Sequence, residues 1–135
     1  MERINKIFSI LLLYTLIQFA VYAEEEIKSA QPQTPAPQTV NFSQCIETFN
    51  IGYEKLYLLT EAAIASNNFT IEEIQSQSGY IVFSVVQYKF LATVMTFGKD
   101  KAILKITPCN NNYTFPIAII KNIFKYIEAN QLKKF

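Results

Sequence analysis

The sequence predicts an α+β domain, a four-stranded antiparallel meander with two helices packed on one face, in the order α-β-β-β-β-α. Three observations point there. Apolar residues recur at three- and four-residue steps in two stretches, residues 43–66 and 116–130. Between them lie runs rich in β-branched and aromatic residues, separated by glycine and proline. The connections between those runs are short, which favours antiparallel neighbours.

The first helix is expected to begin near Ser43, capped by Asn41 or Ser43. Phe42, Cys45, Ile46, Phe49, Tyr53, Leu56, Leu59 and Ala63 would form its buried stripe, with Glu47, Glu54 and Glu61 on another face. Gly52 would interrupt it at about 1 kcal/mol relative to alanine, and Ser66-Asn67-Asn68 would end it. Four strands follow at Phe69 to Ser76, Tyr80 to Val86, Phe90 to Phe97 and Ala102 to Thr107. Gln87-Tyr88-Lys89 joins the second to the third, and Gly98-Lys99-Asp100-Lys101 supplies the next turn, its glycine free to take positive φ. Pro116 suits the first turn of the last helix, whose buried stripe is Ile117, Ile120, Ile123, Phe124 and Ile127. Lys121 and Lys125 share another face of it.

Outside this domain of residues 42–135, the start of the chain has its own pattern. Arg3 and Lys6 precede an uncharged apolar run from Ile7 to Tyr22, closing in Val21-Tyr22-Ala23. A charged start, an apolar middle and a small-residue exit are the marks of a secretory signal peptide over residues 1–23, cleaved after Ala23. The run is short for a membrane span; if cleavage fails, it becomes an N-terminal anchor and the one contact with a membrane. Residues 24–41 read as an extended linker, because Pro32, Pro35 and Pro37 alternate with Gln, Thr and Ala.

Charge is divided along the chain. Residues 24–79 hold eight Glu and two Lys, whereas residues 80–135 hold eight Lys against Asp100 and Glu128. The halves either neutralise each other side by side or form a bipolar surface that orients a charged partner. A uniformly basic footprint is missing, so no nucleic-acid partner is expected. Cys45 and Cys109, 64 residues apart, either form one disulfide in an exported chain or remain two small buried thiols. Closing that loop would stabilise by about 4 kcal/mol, provided the Cα atoms lie within about 7 Å.

Alternation places Ala102, Leu104 and Ile106 on one face of the last strand and Lys105 and Thr107 on the other. The middle strands carry apolar residues on both faces. Helices can cover one face, which leaves Tyr80, Val82, Leu91, Met95 and Phe97 as a candidate binding face on the other. Bulges or the linker folding back would account for the same pattern without a partner.

Several chemistries lack their residues. The chain has no histidine, which removes the commonest general base and metal ligand and every His-dependent nucleophile pair. Two cysteines without histidine make a poor zinc site. Three glycines, Gly52, Gly79 and Gly98, form no phosphate-cradling loop. Glu72-Glu73 is the one adjacent acidic pair of the domain, and neighbours on a strand point to opposite faces. No catalytic residue, metal or cofactor is therefore expected. Asn41-Phe42-Ser43, Asn68-Phe69-Thr70 and Asn112-Tyr113-Thr114 match the N-glycosylation triplet. An Asn-, Ile- and Lys-rich chain from an AT-rich bacterial genome would carry such triplets without meaning, and that reading is preferred.

Leu104-Lys105-Ile106-Thr107-Pro108, Tyr113-Thr114-Phe115-Pro116 and Ile123-Phe124-Lys125-Tyr126-Ile127 together resemble a small family of exported bacterial α-β4-α domains. The element order is also similar to the helix-grip domains of outer-membrane assembly lipoproteins, although no lipobox cysteine follows the leader. Cystatin-like inhibitors likewise pack a helix on a four-stranded sheet, but their Gln-x-Val-x-Gly loop is absent. These resemblances imply no site residues. The sequence thus points to an exported, non-enzymatic domain of the cell envelope that binds a protein partner or self-associates. The alternatives are a carrier of a lipid or other apolar ligand, and a secreted effector or inhibitor.

Overall fold

Among residues 35–134 the dominant element is a five-stranded antiparallel sheet. The computed structural model describes residues 3–14 and 35–134. Residues 3–14 form an exposed helix, α1. No helix of the described residues is long and apolar enough to cross a membrane. The cleavage point expected after Ala23 and linker residues 24–34 lie outside the described residues.

Residues 35–134 run through β1 (Gln38–Thr39), a 3-10 helix (Phe42–Cys45), β2 (Ile46–Phe49), α2 (Tyr53–Ser66), β3 (Thr70–Gln75), β4 (Tyr80–Val85), β5 (Tyr88–Thr96), β6 (Ala102–Pro108), β7 (Thr114–Phe115) and α3 (Ala118–Asn130). The sheet order is β2-β6-β5-β4-β3, and β1 pairs with β7 in a separate ribbon. The α+β class and the meander from β3 to β6 match expectation; the first helix does not. Its first half is the 3-10 turn and edge strand β2, paired with β6 from Ile46 opposite Lys105 to Phe49 opposite Ala102. Ile46 and Thr48 are β-branched and favour the extended backbone. Gly52 does not interrupt a helix. It sits in extended geometry as the N-cap of α2 (φ −68°, ψ 164°), where Leu56 N–H donates to its carbonyl at 3.0 Å. Glu47 therefore lies on a strand, apart from Glu54 and Glu61 on α2.

The linker is also shorter than expected. Gln38 and Thr39 pair with Phe115 and Thr114, and Val40 is buried. Its N–H donates to the Tyr113 carbonyl at 2.8 Å. The one aliphatic side chain near the end of the proline-rich run, with a strand edge beside it, is enough to order this stretch.

One sheet face is closed. Ile81, Phe83, Phe90, Ala92, Val94, Leu104 and Ile106 are each at most 4% exposed. Against them lie Leu56, Leu59, Ala63 and Ile64 of α2 and Ile120, Ile123 and Ile127 of α3, in one core. Rings of Phe69, Phe83, Phe90 and Phe115 form a continuous series, with centroid separations of 6.0, 5.4 and 5.0 Å. Phe49 of β2 meets Phe124 of α3 edge to face at 6.1 Å. Both helices therefore share this side, as the apolar stripes predict.

The β4–β5 turn also differs from expectation. Val85 pairs with Tyr88 and Ser84 with Lys89, so the loop is the two residues Val86-Gln87 and not Gln87-Tyr88-Lys89. Val86 has φ +54° and is 88% exposed. A β-branched residue in that region is strained, and glycine is the favoured first residue of such two-residue loops. Val86→Gly should raise stability by about 0.5–1 kcal/mol, since relief of about 1–2 kcal/mol outweighs the added chain entropy. A urea unfolding midpoint that falls instead would show that the Val86 side chain is held by a contact.

Candidate binding face

The sheet side opposite the helices carries the residues singled out from sequence. Cross-strand register places Tyr80 beside Thr93 and Thr93 beside Lys105; Val82 beside Leu91 and Leu91 beside Thr107; and Met95 beside Ile103. Phe97 continues the alternation of β5, its N–H donating to the Lys101 carbonyl at 2.9 Å. Tyr80, Val82 and Leu91 are half-buried, Met95 is 38% exposed and Phe97 56% exposed. All five share one face, which no helix of residues 35–134 covers. Thr93, Thr107 and Lys105 interrupt the apolar surface. Ile103 joins it beside Met95, an addition that the alternation against Ala102 and Leu104 already implies.

A β-bulge shapes the edge of this face. Ile71 pairs with Phe83 and Glu73 with Val82, so Glu72 is the extra residue. The expectation that Glu72 and Glu73 point to opposite faces fails for this reason. Glu72 Oε2 lies 2.6 Å from Lys89 Nζ, and the Tyr80 hydroxyl donates to Glu73 Oε1 at 2.9 Å. Lys89 and Tyr80 belong to the open face, and both carboxylates turn towards it. The hydrogen bond from Lys89, aided by Ser84, holds the Glu72 carboxyl below its ordinary pKa, and Glu72 raises that of Lys89. Hydrogen bonding to Glu73 raises the Tyr80 phenol. Each carboxylate thus has its own partner, so the two form a bounded polar rim and not a shared acid–base pair.

Cys45 and Cys109 are free thiols. Extending the β2–β6 register by one places Cys45 opposite Ile106, three residues short of Cys109, or about 10 Å along a strand. An odd offset also sends the side chains to opposite faces. Cys45 is buried, directed to the Asn41 carbonyl at 3.8 Å, and burial raises its thiol pKa. Cys109 is exposed just after β6. Of the two sequence readings, the bridge does not form in this fold, and of the two thiols Cys45 alone is buried.

A second concave surface lies between the 3-10 helix, β2 and α3. This groove of about 320 Å³ is lined by Ser43, Gln44, Ile46, Glu47, Lys121, Phe124, Lys125 and Glu128. Here Glu47, from the acidic half of the chain, adjoins lysines of the basic half. Lys89 and Glu72 form an ion pair between the two halves. Among the described residues no group of three or more His, Cys, Asp or Glu side chains converges as metal ligands would. No protein-family model and no curated protein sequence matches the chain.

Proposed function

We propose that this protein is an exported, non-catalytic binding domain of the cell envelope that engages a protein partner through the open face of β4, β5 and β6. The observation that carries the reading is the shared exposure of Met95 and Phe97 beside Ile103, Leu91, Val82 and Tyr80. Monomeric proteins rarely leave a group of large apolar side chains exposed together on one face without a use for it, even where Thr93, Thr107 and Lys105 interrupt the group. Side chains of the protein itself fill the inner face, so among the described residues the outer face is an apolar surface open to a second molecule. Lys105 and the Glu72–Lys89 rim would set orientation, and the apolar residues would supply affinity by burial. Export rests on the charged start and apolar run of residues 1–23.

The double substitution Met95→Lys with Phe97→Lys separates interface from core. Both side chains are exposed, so the thermal midpoint should stay within about 3 °C of the parent. Cross-linking in intact cells, followed by native mass spectrometry of the isolated complex, should show partner capture reduced at least about tenfold. Unchanged capture would exclude this face as the interface. A large fall in the thermal midpoint would place these residues in the core instead.

A further inference from the structure

The two edges of the sheet are not alike. The β3 edge carries a bulge and the carboxylates of Glu72 and Glu73, devices that discourage further strand pairing. The β2 edge pairs with β6 in unbroken register, and beyond it opens the groove against α3. Alternate amides of an edge strand face away from the sheet and, among the described residues, no backbone partner meets those of β2. The groove beside it holds charges of both signs in a particular order. Lys121 and Glu128 are seven residues apart on α3, hence on one helix face and about 10 Å apart along its axis. Neither forms an ion pair within the described residues.

That order is self-complementary. A two-fold axis normal to the sheet, passing near Glu47 and Thr48, lays β2 antiparallel to its own copy. It also brings two α3 helices alongside each other, antiparallel, on the same side of the joined sheets. With the axis passing beside α3, level with Phe124 and Lys125, Lys121 meets Glu128 of the partner subunit. The symmetry makes the same contact a second time. We infer that this edge is a homodimer interface, in which a second copy of the chain continues the sheet through β2 and is held in register by reciprocal Lys121–Glu128 pairs. An acidic peptide would leave Glu128 facing like charge, whereas a second copy sets Lys121 against it. The inference is independent of the open-face reading, because the two surfaces share no residue.

Charge reversal tests it on the full chain. Sedimentation equilibrium should show a dimer for the parent protein. Lys121→Glu alone and Glu128→Lys alone should each weaken dimerisation at least about tenfold, because like charges then face each other twice. The double variant Lys121→Glu with Glu128→Lys restores opposite charges across the axis, and its dimer constant should return to within about threefold of the parent. Both positions are exposed, so circular dichroism should show all three variants folded. A monomer up to about 100 μM (a dimer constant weaker than about −5.5 kcal/mol) would overturn the inference. So would a dimer indifferent to the single reversals, loss without restoration in the double variant, or a different polypeptide found on β2.

Discussion

Phe90→Ala should destabilise the domain by about 3–5 kcal/mol, the usual range for deleting a fully buried aromatic ring. Phe90 is 0% exposed and stands where the aromatic series branches. Its ring stacks on Phe83 at 5.4 Å, meets Phe115 edge to face at 5.0 Å and approaches Tyr88 at 6.4 Å. Phe115 belongs to the β1–β7 ribbon, so Phe90 joins that ribbon to the main sheet. Truncation leaves a cavity whose walls are two paired strands and a ribbon, none of which can close in without breaking register. A domain of this size has about 5–10 kcal/mol in total, so the variant should be partly unfolded at room temperature. The thermal midpoint should fall by about 15–30 °C. Urea unfolding followed by circular dichroism measures it, with Phe90→Leu as the volume-sparing comparison at about 1.5 kcal/mol or less. A cost for alanine near that of leucine would mean that the ribbon moves to fill the space and does not depend on Phe90.

The same residues show which parts of the fold can be read from sequence. β6 is legible because Ala102, Leu104 and Ile106 alternate with Ile103, Lys105 and Thr107, and their burial follows that alternation. α3 is legible because Ile120, Ile123, Phe124 and Ile127 recur at helical spacing and all are buried. The segment from Cys45 to Phe49 is ambiguous. Cys45 and Phe49, four apart, satisfy a helical stripe, while Ile46 and Thr48 satisfy a strand. The partner that decides between them, β6, begins more than fifty residues later. Local spacing carries no record of that pairing, so the fifth strand and the role of Gly52 as a helix cap emerge only with the tertiary fold.

The open face was legible for a related reason. Parity along a strand is a local property, and register within a short-looped meander preserves it across neighbours. Tyr80, Val82, Leu91, Met95 and Phe97 therefore share a side once the hairpins form. The bulge at Glu72 breaks parity, and nothing in Thr70-Ile71-Glu72-Glu73 announces it. The cysteines failed as a pair for a geometric reason. Their even number, and the export expected of the chain, argued for a bridge, but Cys45 falls three residues out of register with Cys109 along the β2–β6 pair.

Gly79→Ala should cost about 2–4 kcal/mol despite the small size of a methyl group, for two reasons that can be measured apart. Gly79 has φ +74° at the turn into β4, where an L-residue adds about 1–2 kcal/mol. A Cβ there would also stand 2.5 Å from Tyr53 Oη and 2.7 Å from the Val94 carbonyl oxygen. The tyrosine can swing aside, at the expense of its 3.1 Å hydrogen bond to the Ser76 carbonyl. The Val94 carbonyl cannot, because Val94 of β5 pairs with Leu104 of β6 and its N–H already donates to the Gly79 carbonyl at 2.8 Å. Gly98 supplies the control: its φ is +84°, and a Cβ would meet nothing within 4 Å. Gly98→Ala should therefore show the backbone contribution alone, about 1 kcal/mol. Adding Tyr53→Phe to Gly79→Ala removes the hydroxyl and should recover part of the difference, but not the part owed to Val94. Equal costs at Gly79 and Gly98 in urea unfolding would mean that the β3–β4 turn yields, and that the close approach of Gly79 to β5 is not what fixes the start of β4.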